Sequence, residues 1–129
     1  MMGAIAFQKG LGVTHSCAHA LGTVADMHHG LANGIMINYA LKMNVAAVPE
    51  RFERMAMTVG LKDHSGAAFI KWLEGLKAEC GIPKKLSDAK VDRSQKEKLV
   101  KVAVEDACHP NNPVTVTKAD FEKIFDEAF

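Results

Sequence analysis

Four histidines, His15, His19, His28 and His29, fall within one short stretch, and only His64 and His109 lie elsewhere. Imidazole is the commonest metal ligand and the usual acid–base group near neutral pH, so this clustering points to metal or proton chemistry. His15 and His19 are four residues apart, which places both on one face of a helix. The helical metalloprotease signature uses the same offset, but its intervening Glu is absent here: Ser16, Cys17 and Ala18 stand between. His15 and His29 are fourteen positions apart. On one unbroken helix that is about 21 Å of axis, at ~1.5 Å per residue. A metal bound at about 2 Å from each nitrogen cannot span it. If both bind one ion, the helix must break between them, and Gly22 and Gly30 are the expected places for a break and a restart.

The strings GLGVTHSCAHALG, from Gly10 to Gly22, and HHGLANGIMINYALKMN, from His28 to Asn44, carry a more specific signal. Together they closely resemble the iron-dependent (group III) alcohol dehydrogenases, with their pattern G-L-G-x-x-H-x-x-A-H-x-L-G followed by H-G-x-x-N-A. Cys80-Gly-Ile-Pro83, Asn112-Pro113 and the terminal Asp120-Phe-x-x-Ile-Phe125 also fit, so the resemblance covers essentially the whole chain. It implies hydride transfer between a small alcohol or aldehyde and NAD(H) or NADP(H), with Fe²⁺, or Zn²⁺ in some relatives, on the substrate oxygen. It implies that His15 and His29 are metal ligands and that His19 lies beside the nicotinamide and the substrate. The family's metal has four protein ligands. The other two, an Asp and a His, belong to an earlier part of the family's chain, as does the Gly-rich nucleotide-binding half. The expectation is therefore a metal-side half, residues 1–129, beginning within a helix of that domain and inactive in isolation.

Composition sets outer bounds. With 129 residues, 48% hydrophobic and 24% charged, the chain suits a single globular domain. A formal net charge of +1 offers no field for nucleic acid or an anionic membrane. Basic residues between Lys84 and Lys101 alternate with acidic ones, as on a solvated helix face. Cys17, Cys80 and Cys108 are an odd set without a CxxC, which argues against a disulfide framework or thiolate zinc site and suits the reducing cytoplasm. The apolar stretch Met1–Phe7 is too short for a signal peptide or membrane span.

The elements that must position the histidines read as helices. Met1–Phe7 resembles the end of one. After a break at Lys9–Gly12 comes the histidine helix, with Thr14 or Ser16 as cap. A helix from His29 to about Val45 carries Leu31, Ile35, Met36, Tyr39 and Met43 at three-four spacing. Gly34 within it costs roughly 1 kcal/mol against Ala, which close approach of another helix or a ligand would justify. Asn33 and Asn38 are expected to hydrogen-bond locally. Pro49 opens the next helix, with Phe52, Met55, Ala56 and Val59 inward and Gly60 at its end. Ser65 caps a helix running to Cys80, with Phe69, Leu73, Leu76 and Cys80 on one line, stopped by Gly81 and Pro83. Lys84–Val91 reads as a polar connector. Asp92 with Gln95 starts a helix carrying Leu99, Val102, Ala103 and Ala107, and Thr117 with Asp120 starts the last, carrying Phe121, Ile124 and Phe125. No segment favours a strand. The fold class is all-α, a bundle of about six or seven helices.

Other clusters carry less. His28 points away from its neighbours and His64 sits in an exposed turn. Adjacent Cys108 and His109 do not face one another, so they make no nucleophile pair. Gly10 and Gly12 lack the surroundings of a phosphate loop. Two other classes stand beside the dehydrogenase half. One is a non-enzymatic helical interaction module, a subunit pairing with a separately encoded half. The other is a small helical metal-binding protein with a third ligand from His28, Asp26 or a second chain. Converging histidines favour the dehydrogenase half and splayed ones the module. A face meant for a missing nucleotide-binding half would be apolar and exposed, so self-association into a dimer or larger assembly is expected.

Overall fold

The computed structural model describes residues 1–129 apart from the side chain of Met2. It is built of seven helices: α1 (Met2–Phe7), α2 (Val13–Ala25), α3 (His29–Val45), α4 (Pro49–Thr58), α5 (Gly66–Glu79), α6 (Lys96–Glu105) and α7 (Lys118–Ala128). Short 3-10 turns precede α6 at Arg93–Gln95 and follow it at His109–Asn111. Among the described residues there is no strand, and no helix is long and apolar enough to cross a membrane.

The principal core lies where α2 packs on α3 and α6, and where α7 closes against α3 and α6. α2 contributes Val13, Cys17, Ala18, Ala20 and Leu21, all buried. The small residues let α3 and α6 approach closely, while Leu21 supplies bulk, worth roughly 1.5–3 kcal/mol when fully buried. A second cluster joins α4 to α5 through Phe52, Ala56, Phe69 and Ile70. Leu41 and Val45 of α3 pack against it, so α3 serves both clusters.

Several helix starts follow from local chemistry. Pro49 occupies the first turn of α4. Ser65 Oγ accepts the Ala68 N–H at the head of α5. Thr117 and Asp120 form a reciprocal capping box on α7. Asp92 accepts the Ser94 N–H, so the chain turns as a 3-10 helix before α6. The close approach at Gly34 comes from Ile82 in the connector after α5 and not from another helix: a Cβ there would lie 3.0 Å from Ile82 Cδ1.

Other expectations are corrected. Neither Thr14 nor Ser16 caps α2. Gly12 is the N-cap, in an extended conformation with no side-chain bond, which puts both residues inside the helix. Gly22 does not break α2, which runs to Ala25. The break falls at Asp26, where a left-handed turn (φ 50°) brings the Asp26 and Met27 N–H groups onto the Leu21 carbonyl. Asp has a short polar side chain that tolerates this region. On α5 the inner line is Phe69, Ile70, Leu73 and Lys77, whereas Leu76 and Cys80 face solvent. Lys77 is buried because its long stem lies along α3 and its ammonium donates to the Ile35 carbonyl at 3.0 Å. Asn38 bonds across to α5, donating to the Ile70 carbonyl, while Asn33 bonds within its own helix. The Lys84–Val91 connector is not wholly polar. Leu86 and Val91 enter the main core, and Leu86 N–H donates to the Ala128 carbonyl. Ala107 is exposed because α6 ends at Glu105 and Asp106 turns extended.

Candidate metal centre

His15 and His19 stand one turn apart on α2, and His29 is the first residue of α3. The turn at Asp26–His28 folds α3 back against α2, which brings together imidazoles that an unbroken helix would separate. The ring centres lie 5.6 Å apart for His15–His29, 5.3 Å for His19–His29 and 6.1 Å for His15–His19. The three rings form one cluster. Two imidazoles on one tetrahedral ion at about 2 Å have ring centres roughly 5 Å apart, a spacing close to that of His15 and His29. Burial, together with His29 and His19, lowers the pKa of His15, while Asp106 acts in the opposite direction. A neutral ring is the form that offers a lone pair to a metal. Asn33 Nδ2 lies 3.0 Å from His29 Nε2 and donates to the His29 carbonyl, tying the ring to its own helix.

His19 differs from the other two. Its Nδ1 lies 2.8 Å from Asp106 Oδ2. Asp106 Oδ1 accepts the Ser16 hydroxyl at 2.7 Å and the Cys108 N–H at 2.8 Å. Burial works against the charged carboxylate, but the bonds from Ser16, His19 and Cys108 prevail and bring its pKa down to about 2. The end of α6 delivers Asp106, and the packing of α6 on α2 sets it beside Ser16. Cys108 Sγ lies 3.9 Å from His19 Nδ1, and burial, then the neighbouring Asp106, push its thiol pKa up.

Among the described residues, one trio of possible ligands has donor atoms all within 4.8 Å: His19, Asp106 and Cys108. Both oxygens of Asp106 are already engaged and the Cys108 thiol is held protonated. This trio therefore reads as a hydrogen-bonded support for His19. Asp106 and Ser16 are the residues that sequence reasoning missed. Nothing near Asp106 marks it, and its partners lie 87 and 90 positions away. The remaining histidines stay apart: His28 and His64 are exposed, and His109 donates from Nε2 to the Val104 carbonyl, with its ring edge-on to Phe121. Cys108 and His109 do not pair, as expected.

The family model described as Fe-containing alcohol dehydrogenase family, C-terminal, matches residues 1–129. This chain belongs to that family. The 4-hydroxybutyrate dehydrogenase of Cupriavidus necator is 30% identical over 137 residues, covering 99% of this chain and 35% of the relative. The NAD-dependent methanol dehydrogenase of Bacillus methanolicus is 33% identical, with 98% and 35% covered. Among solved structures, a 1,3-propanediol oxidoreductase superposes with a TM-score of 0.87 at 29% identity, covering 92% of this chain and 33% of that one. An alcohol dehydrogenase from Oenococcus oeni gives a TM-score of 0.83 at 33% identity, with the same coverage of 92% and 33%. The chain thus spans about a third of the length of these Fe-containing alcohol dehydrogenases.

Proposed function

We propose that residues 1–129 form the metal-side helical half of an iron-dependent, NAD(P)-linked alcohol dehydrogenase that interconverts small alcohols and aldehydes. The observation that carries this reading is the clustering of His15, His19 and His29, brought from two helices to ring-centre separations of 5.3 to 6.1 Å. His15 and His29 would hold Fe²⁺, or Zn²⁺, through two neutral imidazoles. A catalytic site of this kind normally has three protein ligands or more, and Asp106 is committed to Ser16, Cys108 and His19. The further ligands, an Asp and a His by family resemblance, would come from a nucleotide-binding half, which also carries NAD(P). The bound ion would supply Lewis acidity to the substrate oxygen. His19 would lie beside the nicotinamide and the substrate, next to the reacting centre. The partner is that complementary half or a second copy of the chain, and turnover requires it.

The test is anaerobic calorimetric titration of Fe²⁺, and separately of Zn²⁺, into the chain and into His15→Ala, His29→Ala and His64→Ala variants. The expected result is an affinity that falls at least tenfold in the first two variants and is unchanged in the third. Equal uptake by all four proteins, or none by the unmodified chain, would sink the assignment of His15 and His29 as a pair able to bind metal in this half.

A further inference from the structure

We propose that Asp106 is a positioning residue that holds His19 in the Nδ1–H tautomer, so that Nε2, on the opposite edge of the ring, is kept as the acceptor nitrogen. An ionised carboxylate only accepts hydrogen bonds, so the 2.8 Å contact requires the hydrogen on Nδ1. The carboxylate is clamped from two other directions. Ser16 Oγ and the Cys108 N–H both bond to Oδ1, leaving Oδ2 to His19. Ser16 and His19 lie three apart on α2, so one helix face presents both donors to the same acid. The Cys108 thiol, at 3.9 Å, is a far weaker competitor for Nδ1. Of His15, His19 and His29, His19 is the one paired with a carboxylate among the described residues. The arrangement separates the duties of the three rings: of these, His19 is the one hydrogen-bonded to and oriented by a carboxylate.

What the tautomer serves rests on the dehydrogenase reading above, which places His19 beside the substrate: a bare Nε2 there is able to accept the hydroxyl hydrogen of an alcohol. The tautomer is a property of this chain alone and is measured without metal, cofactor or substrate. A long-range ¹H–¹⁵N correlation spectrum of the histidine-labelled chain at about pH 8, above the ordinary imidazole range, reads which nitrogen of each ring is protonated. The His19→Gln variant identifies the His19 signals. The expected spectrum of the unmodified chain shows His19 protonated at Nδ1 and bare at Nε2.

Asp106→Asn makes the sharper prediction. The amide has one oxygen, and the Cys108 N–H, a backbone donor that cannot turn round, claims it at the Oδ1 position. The NH₂ then faces Nδ1, which must become an acceptor, and the two nitrogens of His19 exchange their protonated and unprotonated shifts. Ser16→Ala keeps the original tautomer, because Oδ2 is untouched. Nε2–H in the unmodified chain overturns the proposal, whatever the variants do. So does a folded Asp106→Asn protein with an unchanged His19 pattern. Metal affinity unchanged in the His15→Ala variant, with the Nδ1–H tautomer intact, would count against the dehydrogenase reading and leave this one standing.

Discussion

Ser16 Oγ donates a 2.7 Å hydrogen bond to Asp106 Oδ1 across 90 positions of sequence. With the His19–Asp106 contact it ties α2 to the end of α6. Ser16 is fully buried, so its hydroxyl has this one task. Ser16→Ala removes a bond to a charged acceptor and leaves Oδ1 with the Cys108 N–H alone. The expected cost is about 1.5–3 kcal/mol. Urea unfolding checks it as a fall in midpoint with unchanged slope. A loss below about 0.5 kcal/mol, the usual range for surface substitutions, would mean the bond is not formed in solution.

Acid should weaken the fold through the same carboxylate. Asp106 has a folded pKa of about 2, below the ordinary 3.8. A depressed pKa contributes stability that is fully present above the unfolded value and is lost as pH falls through the folded one. The loss therefore falls between pH 3.8 and about 2 and amounts to roughly 2 kcal/mol, at ~1.36 kcal/mol per unit. Unfolding free energies across that window should fall less steeply for Asp106→Asn than for the unmodified chain. Parallel curves would show that Asp106 is not the group being titrated.

The three thiols should separate by access. Cys80 is exposed, Cys108 half-buried and Cys17 fully buried. Burial, and then Asp106, raises the pKa of Cys17 as well as Cys108, and the thiolate is the reactive form. Mass spectrometry after brief alkylation should find the label on Cys80 first and on Cys108 later. Cys17 should react only when the protein is unfolded. Early labelling of Cys17 would contradict the packing of α2 on α3 and α6.

Association is the fourth expectation. Ile5 and Phe7 of α1 are 55% and 65% exposed, and Met57 is 57% exposed. Apolar side chains left open in this way favour contact with a second copy or a partner. Size exclusion with light scattering should give a mass above the 14.0 kDa of one chain. Phe7→Ser should shift the equilibrium toward the monomer. A monomer at all concentrations tested would remove α1 as a contact surface.

Much of this protein was legible in the sequence because its signals are local. Three-four spacing of Ile35, Met36 and Tyr39 determines a helix. Ser65, Pro49 and the Thr117–Asp120 box determine where helices start, since a cap satisfies backbone N–H groups only a few residues away. The resemblance carried by Gly10–Gly22 and His28–Asn44 pointed to the family and to His15, His19 and His29. The separation of His15 from His29 also required a break between them. Its place was not legible: Gly22 stays helical and Asp26 makes the turn. The bonding at Leu21 that stabilises that turn exists only once α2 has formed. The inner line of α5 was legible at Phe69 and Leu73 but not at Lys77, which reaches a carbonyl of α3 that only packing brings near. Asp106 is the clearest case. In sequence it is one of 15 acidic residues with nothing to distinguish it. The docking of α6 on α2 makes it the acceptor of Ser16, Cys108 and His19, since hydrogen bonds and carboxylate fields act over a few ångströms of space and are blind to distance along the chain.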